Sequence, residues 1–198
     1  MINDKDLQRI KNKYPSETKI KLLKAIDDIP TGTIGEVDFI DDAGNINMEW
    51  ENGSHLSLID GKDYFEIISR PEKIKVIVVE PQKEPYAKEI YNTLSAKQEL
   101  VGGLIECVPS MFDEKDSYDF MVNEESKLIG LPFNRYIYDC QDIVCGTLVL
   151  IKSNIETGEF VTLNDNEIEP LINKINRQCP KVEKNQSLYH EEMEEIEK

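Results

Sequence analysis

Eight polar residues in the second half of this chain are of the types that acid–base or ligand chemistry uses. Glu124 and Glu125 are adjacent, with Lys127 two positions on and Arg135 further along. Glu106 follows a Gly102-Gly103 pair, and Gln98, Asn123 and Asn134 add amides. Two carboxylates beside a basic group can hold and accept a proton at one reacting centre. The same residue types also build turns: an Asn side chain bonds nearby backbone, and a Glu–Lys or Glu–Arg pair is an ordinary ion pair. Sequence spacing favours the turn-building role first, binding second and catalysis last. Trp50, the single tryptophan, is a further candidate, because the ligand grooves of small β-barrels are lined by aromatic rings. Its stronger expectation is a place in or beside a core.

Other chemistries are excluded by pattern. Gly102-Gly103 follows a helical stretch and precedes a strand, whereas phosphate cradles run strand, loop, helix. His55 and His190 are the only histidines, so no Ser–His–Asp or Cys–His constellation is expected. The four cysteines, Cys107, Cys140, Cys145 and Cys179, form no Cys-x-x-Cys pair and give no zinc-like spacing. They are expected to be reduced and mostly buried thiols. Asp41-Asp42 and Asp113-Glu114-Lys115-Asp116 lack the full calcium-loop pattern. No catalytic set, metal or cofactor is expected.

The elements that must position these residues fall into two groups. Asn3 caps a short helix with Leu7, Ile10 and Tyr14 on one side, ended by Pro15. Alternation then marks strands near 18–23, 33–40, 45–51, 55–59 and 64–68, with turns at Asp42-Ala43-Gly44 and Asn52-Gly53. Five short strands in so short a stretch predict a five-stranded, SH3-like barrel over 14–69, preceded by the helix within 1–13. A polar linker at Ser69–Lys73 leads to a mixed α+β domain over 73–180. Its first strand, Ile74–Val79, is apolar on both faces. Pro85 is expected to open a helix carrying Tyr86, Ile90 and Leu94 through about Gln98. Strands at Leu104–Val108 and Asp119–Val122, an irregular segment from Pro132 to Arg135, and one long strand from Ile143 to Ile151 follow. A turn at Glu156–Glu159 leads to Phe160–Leu163. A last helix, capped at Asn164 or Asp165, presents Ile168, Leu171, Ile172 and Ile175 and stops at Pro180. The acidic tail over 181–198 is expected to be disordered. The fold class is therefore α+β.

Two resemblances overlie this reading. The pattern Gly32-Thr33-x-Gly35-x-Val37, Asp41-Asp42-x-Gly44, Trp50-x-Asn52-Gly53, Leu56-x-Leu58 and Gly61-x-Asp63 resembles a small uncharacterised SH3-like domain common in phage and conjugative-element proteins of gut Gram-positive bacteria. The run from Asn92-Thr93-Leu94 through Gln98-Glu99-Leu100-Val101-Gly102-Gly103-Leu104-Ile105-Glu106 resembles a second uncharacterised domain. Its later segments are Val122-Asn123-Glu124-Glu125-Ser126-Lys127-Leu128-x-Gly130-Leu131-Pro132-x-Asn134-Arg135 and Asp142-Ile143-Val144-x-Gly146-Thr147. That domain occurs in phages, plasmids and integrative elements, often beside anti-restriction genes. Ser126 departs from its pattern, which usually has Gly after the two glutamates. The resemblances imply a mobile-element setting and no assigned activity.

The formal net charge is −16. Such a chain repels phosphate backbones, so nucleic acid is disfavoured as a partner. Only the first 24 residues, with seven basic and three acidic groups, offer a basic segment. Met1-Ile2-Asn3-Asp4-Lys5-Asp6 carries no signal-peptide pattern, and no apolar run reaches a membrane span, so a cytoplasmic location in a bacterial host and no membrane partner are expected. The leading expectation is a non-enzymatic accessory protein of a phage or mobile element that binds a host or element-encoded protein, such as a defence or restriction enzyme that it inhibits. A nucleotide or small-molecule binder, using Glu106, Asn123, Lys127, Asn134 and Arg135, is the first alternative. A DNA-associated regulator is the second.

Overall fold

The computed structural model describes residues 2–110, 112, 117–137 and 141–182. Cys140, most of the acidic loop at 111–117 and the tail from 183 onward lie outside those residues. The chain is α+β and divides into two compact units. One runs to Lys73 and takes in 91–96; the other starts at Ile74 and holds the rest.

The N-terminal unit opens with α1 (Asp4–Lys13). Asn3 Oδ1 accepts the Asp6 backbone N–H at 2.9 Å, satisfying one of the donors that a helix start leaves free. Ile10 and Tyr14 are buried. Asp60 anchors this end: the Tyr14 hydroxyl donates to Oδ1 at 2.8 Å and Lys13 Nζ at 2.9 Å. Five antiparallel strands follow, β1 (Lys19–Leu22), β2 (Ile34–Ile40), β3 (Asn45–Trp50), β4 (Leu58–Ile59) and β5 (Phe65–Ser69), in the order β4-β3-β2-β1-β5. Alternation sends Ile20, Leu22, Val37, Ile46, Met48, Trp50 and Leu58 into one core. The fourth strand is shorter than its alternation suggests. The Asn52-Gly53 turn closes locally, with Gly53 N–H on the Trp50 carbonyl at 2.8 Å, but β3 and β4 pair further along, at Asn45 with Ile59.

The C-terminal unit is built on a six-stranded sheet. Its path is β7 (Tyr86–Tyr91), β6 (Lys73–Val79), β12 (Leu148–Ser153), β9 (Ser117–Asn123) and β8 (Ile105–Pro109), with β13 (Phe160–Val161) also paired to β12. β10 (Phe133–Ile137) and β11 (Asp142–Cys145) form a separate antiparallel pair. One face of the large sheet packs Ile77, Val79, Phe120, Val122, Leu148 and Leu150 against Leu171 and Ile175 of α3 (Asp165–Gln178) and against Ile137 and Val144 of the small sheet. The other face packs Val76, Val78, Met121, Val149 and Ile151 against Val101 of α2 (Leu94–Val101). Burial of β6 and β12 on both faces explains their unbroken apolar runs.

Three local expectations are corrected. Tyr86–Tyr91 is an edge strand beside β6, not the first turns of a helix. Helix α2 begins only after Thr93, whose Oγ1 accepts the Ala96 backbone N–H at 3.2 Å. Spacing of four between Tyr86 and Ile90 fits either element, and pairing with β6 decides it. The segment from Pro132 to Arg135 is not irregular: Phe133 onward is strand. The single strand expected over Ile143–Ile151 is two strands in two sheets. The break is Gly146, at φ +73°, where a Cβ would lie 2.6 Å from Leu131 Cδ1. Its backbone N–H bonds the Pro132 carbonyl at 2.8 Å, so the chain turns from β11 into the sheet centre there.

Among the described residues no helix is long and apolar enough to cross a membrane.

Glu167 joins α3 to the sheet. Its carboxylate accepts from Lys152 Nζ (2.6 Å), the Tyr118 hydroxyl (3.0 Å) and the Asn164 backbone N–H (2.7 Å). Burial alone would raise this carboxyl, but those donors outweigh it and hold the pKa down to about 2, from an ordinary 4.5. Its stabilising contribution is complete above pH 4.5 and is lost as pH falls through about 2. Glu167→Gln is expected to cost about 1–2 kcal/mol at neutral pH. In urea denaturation followed by far-UV circular dichroism, the gap to wild type should narrow on acidification. A gap independent of pH would contradict the assignment.

Candidate functional site: an acidic cleft on the C-terminal unit

The turn after β9 and the edge strand β8 create the site. Helix α2 ends at Gly102, at φ +78°, where the Gly102 and Gly103 N–H groups both bond the Gln98 carbonyl (2.8 and 3.0 Å). Gln98 thus contributes its backbone to the helix end. Asn123 Nδ2 donates to the Gly102 carbonyl at 2.8 Å, and Asn123 Oδ1 accepts the Glu125 N–H at 2.8 Å. Gly103 has room for no Cβ, because one would sit 2.5 Å from Asn123 Nδ2. The Gly-Gly pair is therefore a seat for Asn123, and Asn123 pins the turn that carries Glu124, Glu125, Ser126 and Lys127.

Against that turn lies a cleft of about 300 Å³. Glu106 and Val108 of β8, Val122 of β9, Glu124 and Lys127 of the turn, and Asp142 and Val144 of β11 all contribute to its wall. Lys127 Nζ bonds Asp142 Oδ2 at 2.5 Å. Glu106 and Glu124 are exposed. The same turn presents Leu128, 88% exposed, and Ile129, 55% exposed; Leu104, which leads into β8, is 54% exposed. The Leu104 carbonyl takes the Glu124 N–H at 2.9 Å, so these groups adjoin. The result is a small apolar-floored cleft with an acidic rim and protruding aliphatic side chains.

The structure thus divides the candidate residues. Glu106, Glu124 and Lys127 come together at the cleft. Glu125 is exposed on the turn, and its backbone serves Asn123. Asn134 and Arg135, expected beside Glu106 and Lys127 in a ligand site, are 1% and 2% exposed. Asn134 Nδ2 donates to the Val79 and Gly146 carbonyls, both at 2.7 Å. Arg135 donates to the Cys179 carbonyl at 3.2 Å and the Lys83 carbonyl at 3.5 Å. Burial lowers the Arg135 guanidinium from its usual value, with the Glu84 carboxylate opposing. The pairing of Lys127 or Arg135 with Glu124 or Glu125 does not form; Lys127 takes Asp142. Asp142 was missed as a site residue, although it stands in the same sequence motif as Gly146. Trp50 is 4% exposed, with Nε1 on the Leu56 carbonyl at 2.8 Å, so it belongs to the N-terminal core.

Other reactive groups are poorly placed for chemistry. Cys145 and Cys179 are buried thiols, and Cys107 is an exposed one. Burial, with Asp119 adding to it, pushes the Cys107 thiol above its usual pKa, which makes it a weak nucleophile. Asp41 accepts the Ala43 and Asn45 backbone N–H groups, both at 2.9 Å, as a turn residue. Among the described residues no three His, Cys, Asp or Glu side chains gather to hold a metal.

Fold and site define a two-unit α+β chain with a cleft on its C-terminal unit, walled in part by the exposed carboxylates of Glu106 and Glu124. Residues 74–176 match the family model described as a domain of unknown function, DUF3846, and the chain belongs to that family. Residues 3–68 match a second model, the domain of unknown function DUF4314. No curated protein and no solved structure matches the chain.

This division has a direct test. Asn134→Ala and Arg135→Ala should each destabilise the C-terminal unit by about 2–4 kcal/mol, from lost bonds to buried carbonyls and from cavities. Glu106→Gln and Glu124→Gln should change it by less than about 0.5 kcal/mol. Chemical denaturation read by far-UV circular dichroism measures both. Comparable losses in all four variants would contradict the division.

Proposed function

We propose that this chain is a non-enzymatic accessory protein of a phage or mobile element that binds a host or element-encoded protein in the bacterial cytoplasm. The cleft on the C-terminal unit is the binding surface, and inhibition of a defence or restriction enzyme is the consequence. The observation that carries this reading is the exposed pair Glu106 and Glu124 at one small cleft, with the exposed Leu104, Leu128 and Ile129 close to them in the chain. Carboxylates beside protruding aliphatics suit a protein surface, because apolar contacts supply affinity and charges supply selectivity and rate. The nucleotide reading is weakened by the same groups. Its proposed cationic ligand, Arg135, is buried on backbone carbonyls, and Glu106 with Glu124 repels phosphate. The DNA reading rests on the basic N-terminal segment, where Arg9 and Lys13 already pair with Asp60. The resemblance of the motifs to mobile-element domains supports the setting. The N-terminal unit is read as an SH3-like barrel on its strand order and its single core, and it serves as a second module in addition to the cleft-bearing one.

Affinity capture from a Gram-positive host lysate, with and without nuclease, tests the proposal. The wild-type chain is expected to retain a protein at near-equal amount that survives nuclease. The Glu106→Lys/Glu124→Lys variant should lose it. An empty capture, or one abolished by nuclease, would overturn the reading.

A further inference from the structure

The rim of the cleft is also the end of a sheet. Among the described residues β8 is the terminal strand and pairs only with β9. Which of its backbone groups face outward follows from two bonds. Glu124 N–H bonds the Leu104 carbonyl at 2.9 Å, and Ser110 N–H bonds the Tyr118 carbonyl at 3.2 Å. In an antiparallel ladder, hydrogen-bonded and non-hydrogen-bonded pairs alternate. Leu104, Glu106, Val108 and Ser110 therefore direct their N–H and C=O groups at β9. Ile105 and Cys107 direct theirs away from it, along with the Pro109 carbonyl. No described residue pairs with that side of the strand.

The side chains alternate in the same register. Glu106 and Val108 lie on the cleft face, opposite Val122 and Phe120. Ile105 lies on the other face, packed with the Met121 and Val101 cluster, and Cys107 shares that face with it. A strand laid against β8 would thus place every second side chain beside Glu106, on the cleft face that also carries Glu124 across β8. Its intervening side chains would lie beside Ile105 and Cys107, where apolar residues fit. Neither Glu106 nor Glu124 makes an ion pair among the described residues. An exposed sheet edge is a template for pairing, and the other edge, at β7, presents the exposed Lys88 and Glu89 instead of a pair of carboxylates.

We propose that β8 binds an extended segment of another protein by strand addition, and that this segment alternates basic residues over the cleft with apolar residues on the opposite face. Main-chain bonds to Ile105 and Cys107 supply affinity, while Glu106 and Glu124 select the charge. The inference rests on the protein-binding reading above and specifies its partner.

Peptides test it on the full chain without any lysate. A short alternating Lys-Val peptide carrying a fluorophore is titrated by anisotropy, against an alternating Glu-Val peptide of equal length. Two further Lys-Val peptides are N-methylated, one on every Val and one on every Lys. The Lys-Val peptide should bind, and the Glu-Val peptide should bind at least about tenfold more weakly. One N-methylated peptide should lose about tenfold or more and the other should retain binding, because only alternate N–H groups face β8. Glu106→Lys/Glu124→Lys should abolish binding of the Lys-Val peptide. As a second variant, Cys107→Pro removes an outward N–H and leaves the β8–β9 bonds in place; it should weaken binding with the charge unchanged. Failure of the Lys-Val peptide to bind overturns the proposal. So does equal behaviour of the two N-methylated peptides, or binding that ignores the charge reversal. If the peptides fail while the capture experiment still yields a nuclease-resistant protein, strand addition is lost and the protein-binding reading stands.

Discussion

The C-terminal unit depends on one buried amide. Asn134 sits where three pieces of chain converge, and its Nδ2 ties the carbonyl at the end of β6 to the carbonyl of Gly146. Those two bonds tie the small sheet of β10 and β11 to the end of β6 through buried backbone carbonyls, and such groups are costly to leave without a donor. Arg135, the next residue, reaches the other way to the carbonyls of Lys83 and Cys179. The segment after α3 then runs beside β10: Tyr136 N–H bonds the Pro180 carbonyl at 3.0 Å and Val182 N–H the Asn134 carbonyl at 3.1 Å. Lys181 reinforces this by donating to Glu84 at 2.5 Å. The position of β11, and with it the Asp142 wall of the cleft, follows from these bonds.

A single motif therefore does two jobs. Asn123, Asn134 and Arg135 satisfy backbone and hold the scaffold, whereas Glu106, Glu124 and Lys127 face the cleft. Polar residues spaced along a motif carry no mark of which job each performs, since both need the same donors and acceptors. Burial separates them, and burial is a property of the packed sheets. Asp142 illustrates the converse: it was legible as part of a motif, but its pairing with Lys127 depends on β10 and β11 bringing the two together.

Elsewhere the periodicities were informative. Alternation placed β1, β2, β3 and β5 close to their observed positions, and Asn3 and the Asn164 region marked the helix starts, because caps and alternation are local physics. Errors arose where tertiary pairing overrode local pattern. Tyr86 to Ile90 satisfies a helical spacing and yet pairs with β6. The apolar run from Ile143 to Ile151 conceals a turn, since Gly146 alone signals it. Trp50 was readable as core from its place in an alternating strand, and the indole N–H finds a carbonyl as a buried tryptophan requires.

The open side of β8, beside Glu106, is the proposed binding edge of this protein. Amide hydrogen exchange by NMR on the full chain tests it most directly. In the free protein, the Ile105 and Cys107 amides should exchange quickly while those of Glu106 and Val108, bonded to β9, are protected. Adding the alternating Lys-Val peptide should protect Ile105 and Cys107 and leave the β7 amides unchanged. Protection that arises only in β7 or in the N-terminal unit, with Ile105 and Cys107 still exchanging freely, would contradict the account.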